Sequence, residues 1–216
     1  LLSGCGILTA YAPNMLSMIV VAVMGVVVLL GIIYGLIPVL TFTQGLLTGQ
    51  KSIQRASEAE EKSVWITALQ MDRFFRQKKM DQLFREYRDK VKQQRQNGQI
   101  VSDLEDILNE DVLALYSWQG VVAQIPGTLT GLGILGTFIG LLRGLRNINF
   151  VTVEAALSSV QSILTGIDTA FYTSIAGVIL SILFNISNNI LRNTMDREMG
   201  IFLEVFHRVV LPTTQE

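Results

Sequence analysis

The strongest constraint on this chain is where charge is missing. Residues 1–50 contain no Asp, Glu, Lys or Arg, and the first charge is Lys51. A second charge-free stretch covers residues 112–142 and a third covers residues 169–191. A helix needs about 20 mostly apolar residues to cross a hydrocarbon layer ~30 Å thick, and all three stretches are long enough. A chain of 216 residues has too little remaining mass to bury three such helices in a soluble core. Half the residues are hydrophobic and 16% are charged, whereas soluble domains carry roughly 25% charge. The expected fold class is therefore an all-α integral membrane protein, with three transmembrane helices and long cytoplasmic helical extensions. A soluble enzyme is excluded on these grounds, and no enzymatic activity is expected.

Four segments follow from the same reading. Residues 1–50 hold an N-terminal segment and the first span, centred on residues 15–42, with Pro38 placed to kink its far end. Residues 51–111 carry 12 Lys/Arg against 12 Asp/Glu. There Val64, Ala68, Met71 and Phe75, then Leu83, Tyr87 and Val91, keep helical spacing. An amphipathic helix ending near the Asn97-Gly98 turn pair is expected. Ser102-Asp-Leu-Glu105 fits a capping box that starts a further helix running into span two. Residues 112–191 contain spans two (125–142) and three (171–191), and residues 192–216 form an amphipathic tail in which Ile201, Val205 and Val209 keep the spacing until Leu211-Pro212. The loop after span one has 12 basic residues and the tail has Arg192, Arg197 and Arg208, whereas the link between spans two and three has only Arg143 and Arg146. The positive-inside rule then puts loop and tail in the cytoplasm and the N-terminus outside.

Some function classes can be set aside. A net charge of −1 gives no sign of a nucleic-acid partner. A single cysteine, Cys5, excludes an intrachain disulfide and a cysteine-based zinc site. Leu2-Ser3-Gly4-Cys5 resembles a lipoprotein cleavage box, but no basic n-region or apolar h-region precedes it in this numbering. The chain does not begin with Met, so upstream residues are expected outside the numbering. Gly131-Leu-Gly133-Ile-Leu-Gly136 matches G-x-G-x-x-G but lies mid-span, without the strand that a dinucleotide motif requires. His207, beside Arg208, reads as a surface or packing residue. Glu58, Glu60 and Glu61 are the one acidic group considered as a cation holder.

The candidate chemistry sits in spans two and three. Gly127, Thr130, Gly133, Thr137, Gly140 and Gly144 recur every three or four residues and share a helix face. Ala170, Ser174, Gly177, Ser181, Asn185 and Asn188 do the same in span three. Close helix packing explains the glycines, Gly133, Gly140 and Gly177 above all. Alternating hydroxyls fit either interhelical bonding or the lining of a hydrated path, with Thr130, Thr137, Thr169, Ser174 and Ser181 as its candidates and Asp168 at its entrance. No Asp, Glu, Lys, Arg or His lies within the spans; the nearest acids are Glu154 and Asp168, the latter at the outer mouth of span three. Hydroxyls cannot store a proton near neutral pH, so a proton conductor built on these helices needs a carboxylate from a partner.

Leu132-Gly-Ile-Leu-Gly-Thr137-Phe-Ile-Gly in span two resembles the L-G-x-L-G-T-x-x-G signature of the MotA/TolQ/ExbB proton-channel family. Thr169-Ala through Ser174-Ile-Ala-Gly, followed by Phe184-Asn185, resembles the same family's Thr-Ala…(Tyr/Phe)-Asn helix. The segment order also agrees, and the motifs are most similar to the ZorA branch, which serves Zorya anti-phage defence. The resemblance implies a ring of five chains in the bacterial inner membrane. The ring would enclose two copies of a single-span, ZorB/ExbD/MotB-like partner whose transmembrane Asp supplies the missing carboxylate. It also implies that Thr137 and Ser174 line the path of a transported H+ or Na+, with no bound cofactor or metal. Chains of that branch carry a long cytoplasmic tail, so either a tail lies outside this numbering beyond Glu216 or the branch is a different one. The alternatives are a TolQ/ExbB-like energiser, a flagellar stator subunit, or a non-conducting membrane scaffold.

Overall fold

The computed structural model describes residues 2–10, 12, 14–58, 73–97, 104–106, 108, 109, 111, 112, 114, 117–146, 148 and 151–210. Among these, every regular element is helical. They are α1 (Leu2–Ala10), α2 (Met15–Gly31), a π-helical turn (Ile32–Leu36), α3 (Ile37–Glu58), α4 (Lys78–Gln96), a 3-10 turn (Leu104–Asp106), α5 (Gln119–Val122), α6 (Ile125–Leu145) and α7 (Val153–Val210). Three helical stretches are long and apolar enough to cross a membrane: Met15–Arg55, Gln119–Leu145 and Val153–Arg208. The chain is an all-α protein with three candidate membrane spans.

The chain divides into two compact units, Leu1–Gly35 with Gly120–Asn189, and Leu36–Gln119 with Ile190–Glu216. In the first, α2 packs against α6 and α7. Its start is fixed by a reciprocal cap: Asn14 Oδ1 accepts from Ser17 N at 3.1 Å, and Ser17 Oγ accepts from Asn14 N at 3.2 Å. Ser17, Val21, Met24, Val28 and Gly31, three or four residues apart, form the buried face. A Cβ on Gly31 would lie 2.5 Å from Ile125 Cδ1 and 2.6 Å from the Phe184 ring, so a larger residue here would have to displace those side chains. The outer surface is apolar, with Ile19, Val26, Phe138, Leu142, Phe171 and Ile186 exposed, as a lipid-solvated surface requires. The irregularity expected at Pro38 falls just before it, as the π-helical turn Ile32–Leu36. Proline lacks an N–H and its ring crowds the carbonyl four residues earlier; a wider turn relieves that crowding.

The second unit is built round aromatic rings. Val39, Phe42, Leu46 and Ile53 of α3 meet Leu83, Tyr87 and Val91 of α4 and Met195, Met199, Phe202 and Phe206 of α7. Phe74 and Phe84 stack at 4.7 Å, and Phe75 meets Phe74 edge-on at 4.9 Å. Neighbouring Phe74 and Phe75 would point about 100° apart on a helix; a turn with Arg76 at φ 55 buries both instead. The single amphipathic helix expected here is therefore interrupted before Lys78. Asp81 Oδ1 reaches back to accept from Phe75 N at 2.8 Å and closes the turn. Val64, Ala68, Met71, Glu60, Glu61, Gly98 and Ser102 lie outside the described residues, and with them the acidic group and the capping box. The expected unbroken helix into span two is also interrupted, by a turn at Ser117-Trp118 with Trp118 at φ 49.

Candidate membrane ion path

Helices α6 and α7 are held backbone to backbone by glycine. A Cβ on Gly177 would lie 2.7 Å from Leu129 O and 3.0 Å from Gly133 Cα. One on Gly166 would lie 2.7 Å from Gly140 O and 2.8 Å from Gly144 Cα. Gly136 faces the Thr173 side chain. The seam thus runs Gly133, Gly136, Gly140, Gly144 against Gly166, Ala170, Thr173, Gly177. Gly133, Gly140, Gly144 and Gly177 were legible in the sequence; Gly136, Gly166 and Thr173 were missed. The signal was present, because Gly136 and Gly140 continue the spacing from Gly133, and Gly166 lies one turn before Ala170. Gly127 has open space where its Cβ would be, so it lies off the seam.

The hydroxyls flank this seam. Thr137 Oγ1 shares its proton between Gly133 O at 3.1 Å and Ala170 O at 3.3 Å, so it links α6 to α7. Thr130 Oγ1 donates to Pro126 O at 3.1 Å. Ser181 Oγ crosses from α7 to the same carbonyl at 2.9 Å. Thr169 Oγ1 donates to Thr165 O at 2.8 Å and accepts from the Asn14 side-chain amide, which ties the start of α2 to α7. Thr173, fully buried, donates to Thr169 O and Ala170 O. Ser174 is different. It is half-buried, and among the described residues it is the one Ser or Thr of α6 and α7 whose hydroxyl has no hydrogen-bond partner. Asp168 is exposed on α7, Asn185 is exposed, and Asn188 is buried.

Thr137 and Ser174 therefore occupy half-buried places beside one seam, with the Gly133 position packed on the Ser174 backbone at 3.3 Å. His207 is half-buried on α7 in the second unit, and the G-x-G-x-x-G match is continuous α-helix. The family model for the anti-phage protein ZorA of the type I Zorya system matches residues 7–197. The chain belongs to the ZorA family. Over 60 residues it is 47% identical to the Zorya protein ZorA of Escherichia coli strain Crooks, a segment that makes up 28% of this chain and 10% of that protein. Over 60 residues it is 43% identical to the Zorya protein ZorA of Escherichia coli O139:H28, covering 28% of this chain and 8% of the relative. The match thus spans about a tenth of these curated ZorA proteins. The family is that of an anti-phage protein of the type I Zorya system.

Proposed function

We propose that the chain is a stator-like subunit of an ion-motive-force-driven motor in anti-phage defence, set in the bacterial inner membrane with its N-terminus periplasmic. Five copies would ring two copies of a single-span partner, whose transmembrane Asp is alternately neutralised and released. The observation that carries this reading is Ser174. A hydroxyl with no partner is costly in a hydrocarbon layer, and Ser174 has none among the described residues, although every other α6 and α7 hydroxyl there is satisfied. Water, an ion or a partner helix would complete it. On the same seam Thr137 offers a second oxygen, and the charge-free spans leave the carboxylate to another protein. One elementary charge crossing 100 mV releases about 2.3 kcal/mol, enough for a few charges per step to drive rotation.

The test is Ser174→Ala and Thr137→Ala in the intact system, read by phage plaque counts, ion flux in proteoliposomes and native mass spectrometry of the complex. Loss of defence and flux with the complex intact supports the motor. Full defence in the double variant refutes it and leaves the scaffold reading, which the glycine seam alone would satisfy. A homo-oligomer with no Asp-bearing partner would refute the proposed carboxylate donor.

A further inference from the structure

Between the start of α2, the end of α6 and the first half of α7 lies an open cleft of about 480 Å³, in the range of small-ligand sites (~300–1,000 Å³). Its lining includes Arg143, Ser158, Gln161, Ser162 and Thr165 and, among the described residues, no carboxylate. Arg143 forms no ion pair or hydrogen bond among the described residues, and neither does the Gln161 carboxamide. The three hydroxyls already donate to carbonyls of their own helix: Ser158 to Ala155 O, Ser162 to Ser158 O, and Thr165 to Gln161 O. Their protons are engaged, so toward the cleft they offer lone pairs. The site therefore combines one uncommitted cationic fork with a row of acceptor oxygens.

Its level relative to the membrane narrows the ligand. Arg143 is the first charge after the charge-free stretch of α6. Leu142 is 70% exposed, Leu157 67% and Leu164 60%, so apolar surface flanks the cleft. That is where the acyl chains of a bilayer give way to phosphates, and where arginine is favoured.

We propose that the cleft binds the headgroup of a phospholipid bearing a primary ammonium, of the phosphatidylethanolamine class. The phosphate meets the Arg143 guanidinium, and the ammonium donates to the hydroxyl oxygens and Gln161 Oε1. A quaternary ammonium has no N–H to give those acceptors, and a glycerol headgroup brings no cation. The cleft adjoins the seam and the path, since Gly140, Gly144, Gly166 and Thr169 also line it, but the headgroup-binding residues Arg143 and Gln161 belong to neither.

The experiment is native mass spectrometry of the full complex exchanged into nanodiscs of phosphatidylethanolamine, phosphatidylcholine and phosphatidylglycerol in equal parts. Phosphatidylethanolamine is expected to be retained in preference to both others, and Arg143→Gln to reduce its retention about tenfold, as loss of a charge-assisted bond would. Arg143→Lys, which keeps the charge, should retain more than Arg143→Gln. Equal retention of the three lipids, or retention unchanged in Arg143→Gln, overturns the proposal. If inorganic phosphate raises the melting temperature of the delipidated complex as much as phosphatidylethanolamine does, the site is a free-phosphate site and the lipid assignment fails.

Discussion

Gly177→Ala is the sharpest probe of the α6–α7 seam. The new methyl would meet Leu129 O at 2.7 Å and Gly133 Cα at 3.0 Å, both backbone atoms that no rotamer change can move. Reaching an ordinary contact of 3.4 Å means moving the helices apart by about 0.7 Å locally. A gap of 0.5–1 Å forfeits roughly a quarter to a half of the dispersion energy of each contact along the seam, and overpacking typically costs about 1–3 kcal/mol. Gly131→Ala is the control, since nothing lies within 4 Å of its Cβ position. It should leave stability unchanged or raise it by up to about 1 kcal/mol, the helix-propensity gain of alanine over glycine. Gly166→Ala meets Gly140 O at 2.7 Å and should cost as much as Gly177→Ala. If the helices separate as rigid rods, one separation relieves both methyls, and the double variant should cost less than the sum of the singles. Reversible unfolding of the purified protein in mixed detergent and dodecyl sulfate, followed by circular dichroism, measures all four. Gly177→Ala within about 0.3 kcal/mol of Gly131→Ala would refute the seam as the element that sets helix separation.

Two further perturbations test the rest of the framework. Asn14→Ala removes the α2 cap and the bond to Thr169; a loss of about 1 kcal/mol is expected by the same unfolding assay, and faster amide exchange in the first turn of α2 should accompany it. Phe202→Ala empties a fully buried place in contact with Phe74 and Phe75 and should cost about 3–5 kcal/mol. Proteolysis should then cut residues 36–119 while sparing the α6–α7 pair; equal resistance to wild type would contradict the aromatic core.

The sequence made the spans legible because hydrocarbon tolerates no unsatisfied charge, so three gaps in the charge pattern marked α2–α3, α6 and α7. The register of the seam was only half visible. Spacings of three and four both fit a period of 3.6, so Gly127, Thr130 and Gly133 read as one stripe with Gly140 and Gly144. Only the placement of Gly166 and Gly177 against Gly140, Gly144 and Gly133 separates the seam glycines from the exposed ones. The hydroxyl residues were equally visible, but bonding was not. Thr130, Thr137 and Ser181 spend their protons on carbonyls, two of them across helices, whereas Ser174 does not; nothing in the residue type distinguishes these cases.

By itself, then, the sequence determined that the chain is helical, crosses a membrane and carries no ionisable group within its spans, because these follow from local composition and helical period. Tertiary structure alone decided which glycines touch, that Phe74 and Phe75 leave the helical path to meet Phe202, and that the Ser174 hydroxyl finds no hydrogen-bond partner among the described residues. Each of these depends on residues far apart in sequence, whose meeting no local pattern encodes.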